Sequence, residues 1–151
     1  MAIELLIKDA KEAGKFIARK RTAAFRIWNV DPKRNTDYLS VVRGAEKTFD
    51  YRFDDIKPGE VTTKDDVIFD ETIARKAIED FRSILPWAEC ALIHCTGGKS
   101  RSPAFAIAYN EIFNLGHWTL LMIMQHTQYN RLVYRTMIKT AREMGFDLSS
   151  K

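Results

Sequence analysis

Ala91-Leu92-Ile93-His94-Cys95-Thr96-Gly97-Gly98-Lys99-Ser100-Arg101-Ser102-Pro103 reads as a strand, a tight loop and the first turn of a helix in immediate succession. The apolar run 91–93 has the length and type of a buried strand, ending at His94. Cys95 therefore leaves the sheet at a strand's carboxyl end, where ligands of open α/β sheets collect. Pro103 suits a first helical turn, because the N–H it lacks would have no partner there, and Ala104-Phe105-Ala106-Ile107-Ala108 continues as a strong helix former.

The same alternation extends in both directions. Strands are expected over 2–7, 24–30 and 48–53, with a short helix over 9–18, a helical turn over 37–42 closed by Gly44, and breaks at Asp31-Pro32 and Pro58-Gly59. A helix over 71–85 has Asp70 as its cap and Ile73, Ala77, Ile78, Phe81 and Leu85 as its buried face, and Pro86 stops it. After the strand over 90–94 and the loop, a helix runs to Leu115 with Gly116 as terminator, and two more follow near 118–126 and 129–144. Strands alternating with helices imply an α/β fold, with a mostly parallel central sheet flanked by helices on both faces. A chain of 151 residues, 46% hydrophobic, suffices for one well-packed core and is too short for two, so 1–151 is expected to be a single domain.

The loop between that strand and helix is built for an anion. Free N–H groups and the positive end of the dipole at a helix start favour negative charge, and Gly97 and Gly98 let the backbone curl its amides inward around it. The same field favours the thiolate form of Cys95. Arg101 can grip two phosphate oxygens with its planar fork and adds positive charge near the sulfur. Thr96, Gly97, Gly98, Lys99, Ser100 and Arg101 are thus the expected phosphate-binding residues, with Cys95 as a nucleophile in the floor of the cradle. Gly98-Lys99-Ser100 also imitates the end of a nucleotide-binding loop, but that motif needs a glycine where this chain has Ile93.

His94, Cys95, Gly98, Ser100, Arg101 and Ser102 together resemble the signature of the cysteine-dependent phosphatases of the protein tyrosine phosphatase superfamily: His-Cys, five residues, Arg, then Ser or Thr. The match looks most like the small dual-specificity branch. The resemblance implies a cysteinyl-phosphate intermediate and a role for Ser102 in donating a hydrogen bond to the sulfur as it departs. It also implies an aspartate general acid on a loop after an earlier strand. The stretch Tyr51-Arg52-Phe53-Asp54-Asp55-Ile56 is similar to that strand and loop in small prokaryotic members, which makes Asp55 the expected proton donor. Asp54, Asp65 and Asp66 remain alternatives, since the interval to Cys95 is longer than usual and the Trp-Pro-Asp tripeptide of larger tyrosine phosphatases is absent. His94 is expected to order the loop from behind.

Other features read as structural. Cys90 and Cys95, at the two ends of a strand, would lie roughly 16 Å apart at a rise of about 3.3 Å per residue, too far for a disulfide. Neither His117 nor His126 has partners at metal-ligand spacing, and no metal or cofactor is expected. Leu120, Leu121, Met122, Ile123 and Met124 form an apolar run expected to be a core helix. Arg131, Arg135, Lys139 and Arg142 fall on one helix face, as a solvated stripe or a guide for an acidic partner. The N-terminus, with Glu4, Lys8 and Asp9, is no signal peptide, and no run reaches the roughly 18 apolar residues of a membrane span, so a cytoplasmic protein is expected.

The expected activity is phosphomonoester hydrolysis on phosphorylated proteins, at phosphotyrosine and also phosphoserine or phosphothreonine. The net charge of +4 suits such substrates without selecting them. Lys99 would favour extra negative charge near the phosphate, as in the inositol-lipid phosphatases that carry a lysine at the matching position. Phosphoinositides and RNA 5′-phosphates are therefore alternatives, and so is an inactive phosphate-binding module; nucleic acid is otherwise not an expected partner.

Overall fold

A computed structural model describes residues 3–35, 42–60 and 62–148. Its four strands, β1 (Glu4–Asp9), β2 (Thr22–Trp28), β3 (Lys47–Arg52) and β4 (Cys90–Cys95), are all parallel and lie in the order β1-β4-β2-β3. Every residue of β4 is buried, because it has neighbours on both edges and cover on both faces, which is why its sequence is almost wholly apolar. Edge strand β3 alternates instead: Tyr51 is buried and Phe49 half-buried, while Thr48, Asp50 and Arg52 face solvent.

On one face pack the helices α2 (Glu71–Ile84), α3 (Arg101–Phe113) and α5 (Arg131–Glu143). Aromatic side chains join them to the sheet. The rings of Phe25 and Phe81 are 5.5 Å apart, and those of Phe81 and Tyr109 4.1 Å. The other face is covered more thinly by α1 (Ala10–Lys15), through a small cluster of Ala13, Ala24, Val42 and Leu92. Among the described residues no helix is long and apolar enough to cross a membrane.

Four expectations need correction or qualification. Helix α1 is shorter than 9–18: Asp9 caps it, accepting from the Glu12 N–H at 2.7 Å, and the chain turns extended at Phe16. In α2 the core position given to Leu85 belongs to Ile84, which is 0% exposed, while Leu85 is 40% exposed beyond the last turn. The helical turn expected over 37–42 falls, apart from Val42, outside the described residues. The run 120–124 does form a helix, α4 (Thr119–Gln125), but none of its residues is buried. α3 and α5 already close the core there, and only Met122 packs against it.

Register decides where chemistry can occur. Asp9 pairs with Cys95, Arg26 with His94 and Trp28 with Arg52, so the strands end almost level. The loops that leave β2, β3 and β4 meet along this carboxyl edge, the usual ligand edge of a parallel sheet.

Candidate active site

The loop after β4 is folded around a sulfur atom. The Gly98 N–H donates to Cys95 Sγ at 3.2 Å, and the Ser102 hydroxyl stands 3.2 Å from the same atom. Cys95 is a free thiol, 2% exposed, and the Gly98 N–H is aimed at its sulfur from within the loop. Cys90, at the opposite end of β4, lacks such a setting; burial pushes its thiol above the ordinary range, as suits a packing residue.

Gly98 can reach the sulfur because it takes a left-handed conformation, φ +67°, and rests against the end of β1. A Cβ there would sit 2.9 Å from the Asp9 nitrogen and the Lys8 carbonyl carbon, both backbone atoms that cannot step aside. Gly98→Ala is therefore expected to cost at least about 2 kcal/mol, combining left-handed strain with a backbone clash. Urea unfolding measures it; an unchanged midpoint would mean that the loop can be rebuilt without this contact.

Arg101 opens α3 and is 4% exposed. Its Nη1 donates to the Phe53 carbonyl at 2.7 Å and its Nη2 to Thr96 Oγ1 at 3.3 Å, while the buried Nε has no partner. A buried guanidinium N–H without an acceptor is costly, and an oxyanion seated in the loop would supply one. Thr96 Oγ1 also accepts from Asn29 Nδ2 at 3.1 Å, which ties the loop after β2 to the cradle. Gly97 is open to solvent and Lys99 is exposed at the rim.

Ser100 is the N-cap of α3, yet its hydroxyl makes no cap and instead donates to Asp55 Oδ1 at 2.7 Å. Asn130 Nδ2 donates to the same oxygen at 2.7 Å and to the Ile56 carbonyl at 3.0 Å. Asn130 is 1% exposed; its Oδ1 caps α5 at the Val133 N–H and its own N–H donates to the Ser100 carbonyl at 2.9 Å. One side chain thus joins α5, the β3 loop and the cradle. Both of these bonds to Asp55 fall on Oδ1.

The other three aspartates are engaged elsewhere. Asp54 is buried, accepting from the Val30 N–H at 3.3 Å and the Val67 N–H at 2.9 Å through its two oxygens. Asp66 holds the turn at Thr63, at 2.8 Å, and Asp65 faces solvent. Of the four, Asp55 is the one hydrogen-bonded to the loop. Asn29 and Asn130 escaped the sequence reading. An Asn directly before a helical pattern is a cap signal that marks Asn130, whereas nothing local marks Asn29.

His94 sits behind the loop, 0% exposed, edge-on to Trp28 at 5.0 Å. Burial outweighs the opposing Cys95 backbone and pushes the imidazole down to about 4 from 6.5. The unfolded chain therefore binds a proton here that the native state refuses between those values. Stability from this site is complete above pH 6.5 and is lost as pH falls through the window toward 4, by about 3 kcal/mol. Urea unfolding at pH 7 and pH 4.5 should show this loss in the wild type and a shallower one in His94→Gln; equal slopes would place the titration elsewhere.

Arg131, Arg135, Lys139 and Arg142 lie exposed on α5. His117 is a structural residue, its Nε2 2.8 Å from the Ile3 carbonyl.

No protein-family model and no curated protein matches the chain. Solved structures do. The chain is similar to the crystal structure of PTPMT1, at 13% identity and a TM-score of 0.51 over 93% of this chain and 91% of that one. It is also similar to PTPMT1 in complex with PI(5)P, at 12% identity and a TM-score of 0.50 over 82% and 78%. Tk-PTP in the active form aligns over 100% of this chain and 93% of its own, at 15% identity and a TM-score of 0.45. With its strands, its cradle loop and the helix that follows in this arrangement, the chain has the protein tyrosine phosphatase fold that residues 94–102 lead one to expect.

Proposed function

We propose that the chain is a cysteine-dependent phosphomonoester hydrolase. What carries this reading is the convergence of the Gly98 N–H and the Ser102 hydroxyl on the sulfur of Cys95, beside a buried Arg101 whose Nε lacks an acceptor. In the first step the thiolate attacks phosphorus in line, the bond to the leaving oxygen breaks, and Asp55 gives that oxygen its proton. In the second, water attacks the cysteinyl phosphate, its proton passes to the Asp55 carboxylate, and the sulfur leaves as thiolate, eased by the Ser102 hydroxyl. Backbone N–H groups over 96–101 and the Arg101 fork stabilise the equatorial oxygens on which transition-state charge is spread.

Phosphotyrosine and phosphothreonine peptides are the first substrates of this reading. A second substrate, a phosphoinositide headgroup, is favoured by Lys99, whose exposed cation at the rim suits charge beyond the reacting phosphate, and by the complex of PTPMT1 with PI(5)P. The test is hydrolysis of para-nitrophenyl phosphate in excess EDTA, followed by the same assay on both peptides and on an inositol phosphate. Turnover that persists in EDTA, with an acid-quenched phosphoryl group mapped to the peptide holding Cys95, supports the mechanism. Phosphate binding without any turnover would instead make the chain an inactive phosphate-binding module.

A further inference from the structure

In α4 the usual pattern of a short helix is inverted. Only Met122 packs against the core, while Leu120, Leu121 and Met124 are 53%, 41% and 63% exposed, and Trp118, just before the helix, is 65% exposed. We propose that this face docks on an anionic phospholipid surface and so presents the Cys95 loop to a phosphorylated lipid headgroup, a proposal that deepens the phosphoinositide reading above.

Three observations select this occupant. First, the helix leads to the cradle: Gln125, His126, Thr127 and Gln128 line a cavity of about 220 Å³ together with Gly98 and Lys99. Met124 lies at that end, and Trp118 lies roughly 9 Å back along the axis. A surface that takes up this face therefore also reaches the rim of the loop.

Second, the charges fit. From Trp118 to Asn130 the chain contains no Asp, Glu, Lys or Arg, although such residues make up 29% of the whole. Within that stretch burial holds His126 below its ordinary range, so it adds no charge at neutral pH. The exposed charges at its cradle end, Lys99 across the cavity and Arg131 directly after it, are both cationic, whereas at the far end the exposed Asp147 lines a pocket with His117 and Thr119. An anionic bilayer meets cationic groups at the cradle end, and basic residues beside an apolar helix face are what such surfaces attract.

Third, the face is small. A helix of seven residues spans about 10 Å in length and about 10 Å in width, far below the roughly 800 Å² that each partner buries in a stable protein complex. Partition into a lipid interface needs no matching partner surface, and Trp, Leu and Met are suited to it.

The test uses the full chain and vesicles of phosphatidylcholine, with and without phosphatidylserine. The wild type should cosediment with the mixed vesicles, and Leu120→Ser/Met124→Ser should bind at least about tenfold more weakly. The conservative Leu120→Ile/Met124→Leu should bind like the wild type. Turnover of para-nitrophenyl phosphate should be the same in all three, since none of these side chains belongs to the cradle. Trp118 fluorescence should shift to the blue on binding, and Trp118→Phe should remove that shift, because of the other two tryptophans Trp28 is only 1% exposed and Trp87 is half-buried against the core, away from this face. Equal vesicle binding by the wild type and the double Ser variant, or no binding at all, overturns the proposal. So does a dimer that the double Ser variant dissociates, which would assign the face to a second copy. A wild type that turns over para-nitrophenyl phosphate but does not bind the mixed vesicles defeats this inference alone, whereas a wild type that binds vesicles without turnover defeats the phosphatase reading.

Discussion

Cys95→Ser is expected to reduce turnover of para-nitrophenyl phosphate by ~10⁴-fold or more while leaving the fold and phosphate binding in place. The substitution exchanges sulfur for a smaller oxygen in a site that is 2% exposed, so packing changes little. What changes is the nucleophile. A serine hydroxyl holds its proton at neutral pH, and none of the described hydrogen bonds to position 95 comes from a group placed to take it: Gly98 offers an N–H, and Ser102 another hydroxyl. The cradle itself remains, because Arg101 is anchored by the Phe53 carbonyl and Thr96 rather than by the sulfur. Initial rates in excess EDTA, read beside phosphate protection against thermal unfolding, separate the two effects. Loss of turnover with protection retained is the expected pair, and full activity in the Ser variant would remove Cys95 from the mechanism.

The cradle could be read from sequence because its determinants are local. The apolar run before His94, the two glycines and Pro103 fix a strand, a left-handed turn and a helix start within a few residues of one another, and no distant contact is needed to see them. Strand order is different. β4 comes last along the chain yet lies between β1 and β2, and nothing in its own residues says so beyond the uniform burial its apolar character implies. Among the aspartates, the resemblance favours Asp55 and keeps Asp54, Asp65 and Asp66 as alternatives, but the residues themselves do not say which way each carboxylate turns. Asp54 and Asp55 are neighbours, but one turns inward to the Val30 and Val67 amides and the other toward Ser100. A side-chain direction in an irregular loop follows from what packs on it. The misreading of the run 120–124 has the same origin: hydrophobicity shows that a segment favours burial, and says nothing about whether the rest of the fold has surface left to cover it.

Asp55→Asn should lower turnover by about 10²–10³-fold for a phenyl phosphate, whose leaving oxygen needs a proton, and by far less for para-nitrophenyl phosphate, whose leaving group departs as an anion. Asparagine keeps the size and can still accept from Ser100 and Asn130, so the loop should hold its shape while proton donation is lost. Asn130 adds a second, distinguishable prediction, because it touches Asp55 Oδ1, the Ile56 carbonyl and the cradle at Ser100 without facing the sulfur. As a positioning residue it acts through the carboxylate, so Asn130→Asp should weaken turnover of the phenyl ester more than that of the nitrophenyl ester. That leaving-group pattern, milder than in Asp55→Asn, is one that mere loss of the α5 cap would not produce. The double variant then decides the matter: if Asn130 works only by holding Asp55, its substitution adds nothing once Asp55 is already Asn. An additive loss would give Asn130 a separate role in the cradle, and an unchanged leaving-group dependence in Asp55→Asn would move the proton donor to another residue.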